Sequence, residues 1–448
     1  MNTPVPRPKA RLTWLLAPVA AFAVTLALLT AVQGDGGAAA PTAFDRPGPA
    51  SVDVSPGAST AETIAATEAA VSAEPGDAAL HAALGDLYYQ RSRDTADGSW
   101  NEKAAESYGA ALELDSRNAQ ATLGLGTLAL AKHDFAGGLR FGRQALQLEP
   151  SSVRPYAAIV DAQVELGRYA DAARSLERMV ALKPNLASYS RISYYRELHG
   201  DLPGALEAMR LAVSAGGGSA ESVAYVQTLL GNLDFQRGEI AAAERAHRSA
   251  LARVPGYLPA SVGLATVQAA SGDLPRAIAR YDRVVAASPV HEYHVLLLEA
   301  RLAAGQAAAA RSEIAAIREN QAIERRNGVN TDAELAIFEA DHGSAARAVA
   351  LGRAAVRDAP SAPAADAYGW ALTQAGRPRA ALRWARAALR TGWRDPLVRY
   401  HAGMAAKLAG RPALARRWLS QALSLNPRFS PLHAPRAQRA LAATSRAL

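Results

Sequence analysis

The feature that most constrains this chain is a recurring break. Pro150 to Pro184, Pro255 to Pro289 and Trp393 to Pro427 are each 34 residues apart, and each closes an Ala-Leu-rich or Val-rich stretch. A period of that length marks helical hairpins, none of which can bury its apolar faces alone. Between the breaks apolar residues recur three and four apart, interrupted by Gly-Asp, Gly-Arg or proline, with no alternating β-branched run. The chain therefore reads as helix after helix.

Composition narrows how such helices are held. With 448 residues the chain exceeds one compact core, and a half-hydrophobic, aromatic-poor, Ala- and Arg-rich sequence favours closely packed helices over sheets. The absence of cysteine excludes disulfides, thiolate nucleophiles, Cys-based zinc sites and lipid attachment through an N-terminal cysteine. Packing alone has to hold the fold.

Ahead of the periodic region, residues 12–32 run from Leu12 to Val32 without a charge, long enough as a helix to cross a bilayer. Arg7, Lys9 and Arg11 precede the run and Asp35 and Asp45 follow it, so residues 1–11 are expected in the cytoplasm and the remainder outside the membrane. The competing expectation is a cleaved signal peptide and a secreted protein. Residues 33–60 are rich in Gly, Pro and Ala and read as a flexible tether.

Within the periods, small residues stand at Gly85, Gly126, Gly231, Gly369 and Gly403, where a first helix would cross its partner, and turns follow near Gly167, Gly238, Gly272, Gly376 and Gly410. The stretches "LGLGTLALAKHDFAGGLRFGRQALQLEP", "VDAQVELGRYADAARSLERMVALKP" and "LLGNLDFQRGEIAAAERAHRSALARVP" resemble tetratricopeptide repeats. That resemblance implies an all-α, right-handed α-solenoid of about ten stacked hairpins over residues 78–430. A capping helix would precede it at 61–77 and a basic one would follow at 431–448. On the second helices the pattern's small residue falls on Ala104, Gly138, Ala172, Ala243, Ala277, Ala348, Ala381 and Ala415, and its bulky partner on Tyr108, Leu176, Tyr281 and Leu419. The segment "RSRDTADGSW" is an insertion in the first unit, and "ENQAIERRNGVN" lengthens either a helix or a loop in the seventh.

In the resembling family the first helices line a concave groove. Here that wall would carry Asp86, Tyr89, Asp161, Glu165, Arg191, Tyr195, Tyr225, Asn232, Phe235, Gln236, Trp370, Gln374, Tyr400 and Met404. The mixture of acids, aromatics and amides lacks the basic and Asn pattern that clamps a C-terminal carboxylate, and it suits a protein or peptide partner. The resemblance implies a non-enzymatic interaction scaffold with no cofactor.

Two fragments could carry chemistry. "GLGTLA" at Gly124 to Ala129 has the letters of a dinucleotide fingerprint, but it sits inside a helix with no preceding strand. In "HEYH", His291 and His294 stand three apart, one short of the zinc-protease spacing, which leaves a metal-handling role as an alternative with no evident third ligand. No Gly-x-Ser-x-Gly elbow and no phosphate-binding loop with its lysine occurs.

Charge is strongly asymmetric. Residues 376–448 hold 15 Lys or Arg and one acid, Asp395, while the chain as a whole is only +8. Arg383, Arg386 and Arg390 share one helical face, with Arg411, Arg416 and Arg417 nearby. A second alternative is therefore an envelope polyanion or anionic-lipid partner for this end; outside the membrane nucleic acid is not expected.

Overall fold

The computed structural model describes residues 60–95, 98–216 and 220–445. The expected cytoplasmic N-terminus 1–11, the apolar run 12–32 and the expected tether 33–60, apart from Thr60, lie outside the described residues. Among the described residues no helix is long and apolar enough to cross a membrane.

Helices stop and restart here by one local device. In most of the hairpins a residue in the left-handed region ends the first helix, and the next residue often caps the second; the α16–α17 turn, with Gly343 at φ −137°, does without it. Gly200 and Gly272 have φ of 69° and 87°, and the following Asp201 and Asp273 accept from the N–H groups of Gly204 and Arg276. Glycine takes that conformation without a Cβ penalty, and Asp satisfies an orphaned helix-terminal donor. His133 stands at the same place with φ 59°, the one non-glycine with positive φ among the described residues, and Asp134 caps after it.

Twenty-two helices result, with no strand among the described residues. A leading helix α1 (Thr60–Ala73) precedes the pairs α2 (Ala78–Thr95) with α3 (Ser99–Leu114), α4 (Ala119–Ala131) with α5 (Phe135–Leu148), and α6 (Arg154–Glu165) with α7 (Tyr169–Leu182). The middle of the chain holds α8 (Leu186–Leu198) with α9 (Leu202–Ala215), α10 (Ala220–Gln236) with α11 (Ile240–Arg253), and α12 (Leu258–Ala270) with α13 (Leu274–Ala287). After them come α14 (His291–Ala303) with α15 (Ala307–Arg326), α16 (Asp332–His342) with α17 (Ala345–Asp358), and α18 (Ala362–Gln374) with α19 (Pro378–Ala388). The last hairpin is α20 (Pro396–Leu408) with α21 (Pro412–Leu425), followed by α22 (His433–Ser445). Successive hairpins pack on one another, the α14–α15 and α16–α17 pairs through the side chains of Leu298, Ile317 and Phe338, which makes the described residues an all-helical solenoid. The segment "ENQAIERRNGVN" proves to extend a helix, the 20-residue α15.

Packing between hairpins depends on missing side chains. Tyr108 lies between Gly85 of α2 and Gly124 of α4, where an added Cβ would come within 2.5 Å and 2.2 Å of its ring, and its hydroxyl donates to Asp86 at 2.6 Å. His247 fills the corresponding gap between Gly231 and Gly263, with 2.7 Å and 2.2 Å left for a Cβ. Gly124 and Gly126 of the "GLGTLA" fragment are thus crossing points, the latter against Phe141. On the second helices Ala104, Ala172, Ala243, Ala277, Ala348, Ala381 and Ala415 are all fully buried.

The contrast between packed and unpacked glycines is testable. Gly85→Ala forces Tyr108 out of place and should cost about 1–3 kcal/mol, the range for overpacking a core. Gly109→Ala, in α3 with nothing within 4 Å of the new methyl, should stabilise by up to about 1 kcal/mol through helix propensity. Chemical denaturation of the two variants checks both signs.

Candidate functional site

The wall expected from the resemblance would be built by the first helix of each hairpin. In an open solenoid these helices would show one face to solvent; here α4, α8, α12, α14 and α16 contain no exposed residue at all. The 14 wall residues expected from sequence do lie on first helices, yet Gln374 alone among them is exposed. Asp161, Glu165, Arg191, Tyr225, Gln236, Trp370 and Tyr400 are buried, while Asp86, Tyr89, Tyr195, Asn232, Phe235 and Met404 are partly buried.

The wall is closed because the chain folds back on its own edge. Hairpin turns of the N-terminal half meet the loops between hairpins of the C-terminal half. Asn330 N–H donates to Lys132 C=O at 3.0 Å, and His133 Nδ1 donates to Asn330 C=O at 2.6 Å. Ala362 N–H donates to the Tyr169 hydroxyl at 2.8 Å, and Asn426 Nδ2 donates to Phe235 C=O at 2.7 Å. The side-chain contacts join residues 197, 193 and 191 positions apart, so five to six repeats complete one turn of the superhelix. Tyr169 also packs against the cluster formed by Ala362, Ala365, Ala388, Trp393 and Val398. The contact explains His133: its strained backbone holds a side chain that reaches across this seam. At Gly167 and Gly238 the same turn position must also be bare, since a Cβ would lie 2.5 Å from Pro360 C=O and 3.0 Å from Leu425 C=O.

Carboxyl groups face one another across the seam. Glu165 lines a cavity of about 50 Å³ together with His133, Asn330, Glu334 and Asp358. Burial pushes its pKa up to about 8, the Tyr194 hydroxyl at 3.1 Å pulls against that, and Glu334 and Asp161 add to it. Further along, Gln236 Nε2 sits 3.3 Å from both Glu197 and Asp395. Burial raises both acids, Asp395 to about 6, and Asp395 pushes Glu197 further. By contrast Asp161 is matched: Arg191 donates to its two oxygens at 2.8 Å and 2.7 Å.

On the C-terminal half the wall is covered by α22. Ala434, Ala437 and Ala440 pack with Trp370, Tyr400 and Leu419, and Met404 lies against the same cluster. His433 reaches back to Glu299 of α14 at 3.7 Å and Asp341 of α16 at 3.6 Å, and Trp370 stacks on His401 at 4.2 Å. Burial works to raise Glu299, but the imidazoles of His342 and His433 outweigh it and hold the carboxyl well below its usual range.

His291 and His294 go to different partners. His291 Nδ1 lies 2.7 Å from Glu324 and 3.5 Å from Glu292, whereas His294 Nδ1 lies 2.5 Å from Glu313. Burial disfavours a charged His291 ring, yet Glu292 and Glu324 push its pKa up to about 9. The donor atoms of His291, Glu292 and Glu324 do fall within 4.8 Å of one another, a grouping that leaves His294 out. A protonated ring in an ion pair is no metal ligand until it loses its proton. The basic residues Arg383, Arg386, Arg390, Arg411, Arg416 and Arg417 are all exposed.

A closed spiral of helical hairpins is the class of structure these contacts define. Tetratricopeptide repeat models match residues 101–153 and 158–220, and another match covers 234–297, so these hairpins carry the tetratricopeptide pattern. No curated protein matches the chain in sequence. Among solved structures, the chain is similar to the APC/C hetero-tetramer Cut9-Hcn1 at 14% identity, covering 85% of this chain and 93% of that one, with a TM-score of 0.38. A thermophilic TPR protein of Thermus thermophilus is 18% identical over 43% of this chain and 98% of its own, with a TM-score of 0.38. A tetratricopeptide repeat protein of Parabacteroides merdae is 14% identical over 51% of this chain and 86% of its own, with a TM-score of 0.40.

If the seam closes the wall, breaking it should expand the molecule. Gly167→Ala combines a positive φ with a collision against Pro360, whereas Gly376→Ala carries the positive φ with open space around it. Small-angle scattering should show a larger radius of gyration for Gly167→Ala and an unchanged one for Gly376→Ala.

Acidity should act on the same contact. A carboxyl whose pKa is raised in the closed form favours that form while protonated. The contribution is complete below the ordinary carboxylate range and is lost as pH rises through about 6 for Asp395 and about 8 for Glu165. Stability measured between pH 5 and 9 should therefore fall with rising pH, and Glu165→Gln should flatten the upper part of the curve.

Proposed function

We propose that the chain is a non-enzymatic scaffold that binds a protein or peptide on its inner wall. The tetratricopeptide matches support the general reading, since such repeats generally mediate protein–protein interaction. The observation that carries the specific one is how the wall is shut. Its first helices hold acids, amides and aromatics, and the N-terminal seam is closed by hydrogen bonds between turns and by Tyr169. A partner segment offering backbone donors and aromatic-compatible side chains can replace those contacts and lie along the wall.

In the same proposal the run Leu12–Val32 tethers the repeats to the outer face of the cytoplasmic membrane, its flanking charges setting the orientation. Mass spectrometry of the mature N-terminus checks the tether: a start beyond Ala31 would replace it with a cleaved signal and a secreted protein.

Site-specific photo-crosslinking in intact membranes checks the wall. Probes at Tyr195 and Gln374, both on first helices, should capture one discrete partner chain. A probe at Arg253, exposed at the end of the second helix α11, should not. Equal capture from both sides would reject the inner wall as the binding surface.

A further inference from the structure

The C-terminal repeats carry a net +14 over residues 376–448, and the structure shows where the one acid of this stretch goes. Asp395 points inward. Its side chain is buried, Oδ1 accepts the Val398 N–H at 2.7 Å, and Oδ2 faces Gln236 across the seam. Among the described residues no Lys or Arg side chain from Arg377 to Arg439 forms an ion pair with a carboxylate, although arginines elsewhere do so repeatedly. A single-signed face with its counter-charge folded away is a surface prepared for an external anion.

Within that face one arginine is fixed in place. Arg399, near the start of α20, is half-buried and donates through Nη1 to Gln421 Oε1 at 2.7 Å and through Nη2 to Gly392 C=O at 2.8 Å. Both acceptors are neutral, and its Nε has no hydrogen-bond partner. Burial, then the charges of Arg394 and Arg417, push its pKa down to about 10, against the pull of Asp395. Arg394, on the loop before α20, and Arg417, on α21, are exposed. Gln421 lies one turn after Arg417 on α21 and Gly392 two residues before Arg394, so the contacts that hold Arg399 bring its guanidinium to the neighbourhood of both. A half-buried guanidinium held only by neutral acceptors is costly without an anion.

We propose that Arg394, Arg399 and Arg417 form a binding site for a phosphate-class anion, either free or borne on a lipid headgroup. Arg399 is the positioned floor, held by Gln421 and the Gly392 carbonyl, and Arg394 and Arg417 close over the ligand from the loop and from α21. This site is separate from the inner wall, and neither proposal depends on the other. The exposed arginines marked in the sequence, apart from Arg417, belong to the surrounding field and not to the site itself.

The test titrates the full-length chain with inorganic phosphate and pyrophosphate by calorimetry, and measures cosedimentation with phosphatidylcholine vesicles with and without phosphatidic acid. Saturable binding of the free anions identifies a soluble ligand; binding confined to phosphatidic acid vesicles identifies the headgroup. Either result should weaken as salt rises, because exposed charges are screened. The double variant Arg394→Gln with Arg417→Gln should abolish binding. The control Arg383→Gln with Arg386→Gln, which removes the same charge from exposed positions, should retain it. Arg399→Lys keeps the charge but loses the paired contacts to Gln421 and Gly392 that position it, and should weaken binding while its thermal transition confirms folding. Equal loss in the two double variants would mean diffuse attraction and overturn the site, as would the absence of binding to every probe.

Discussion

The whole architecture rests on how closely neighbouring helices approach. A helical pair has two apolar faces and covers only one internally, so the other must find the next pair. Glycine and alanine at the crossings permit that approach, and Tyr108 and His247 show how tight it is, each ring filling the space of two absent side chains on adjacent first helices. Because the same crossing recurs hairpin after hairpin, small rotations accumulate into a superhelix. Its pitch is short enough that turns of hairpins in the N-terminal half meet loops of the C-terminal half.

That meeting changes the character of the inner wall. Side chains that would line an open groove become interior groups, and interior polar groups need partners. Some have them: Arg191 and Asp161 form a two-point ion pair, and Glu299 lies between His342 and His433. Others crowd carboxyls together: Glu165 lies near Glu334, and Glu197 and Asp395 both meet Gln236, so burial and neighbouring acids raise Glu165 and Glu197 and burial raises Asp395. A seam of hydrogen bonds between turns, with carboxyls kept out of their ordinary range, is a contact suited to being exchanged for another. An apolar core is not.

Closure also sorts the charge. Asp395 is drawn into the seam by its cap on Val398 and its contact with Gln236, while Arg394 and Arg417 remain exposed. The positive end of the solenoid is thus a consequence of folding as well as of composition.

Most of the local structure was legible in the residues. The 34-residue spacing of the breaks, the turn glycines and the alternation of small and bulky residues set helix, turn and crossing, because each depends on neighbours within one or two hairpins. The seam left no such trace. His133, a histidine where other turns have glycine, was the nearest signal, and it has meaning only once Asn330 is beside it, 197 residues away. Arg399 and Arg394 were likewise hidden among 15 basic residues, since nothing in the order of residues says which one is held by Gln421 and Gly392. The sequence by itself determined the repeating unit, through short-range packing and turn chemistry. Whether the spiral stays open or closes on itself depends on rotations summed over five or six units, and only the tertiary structure decided it.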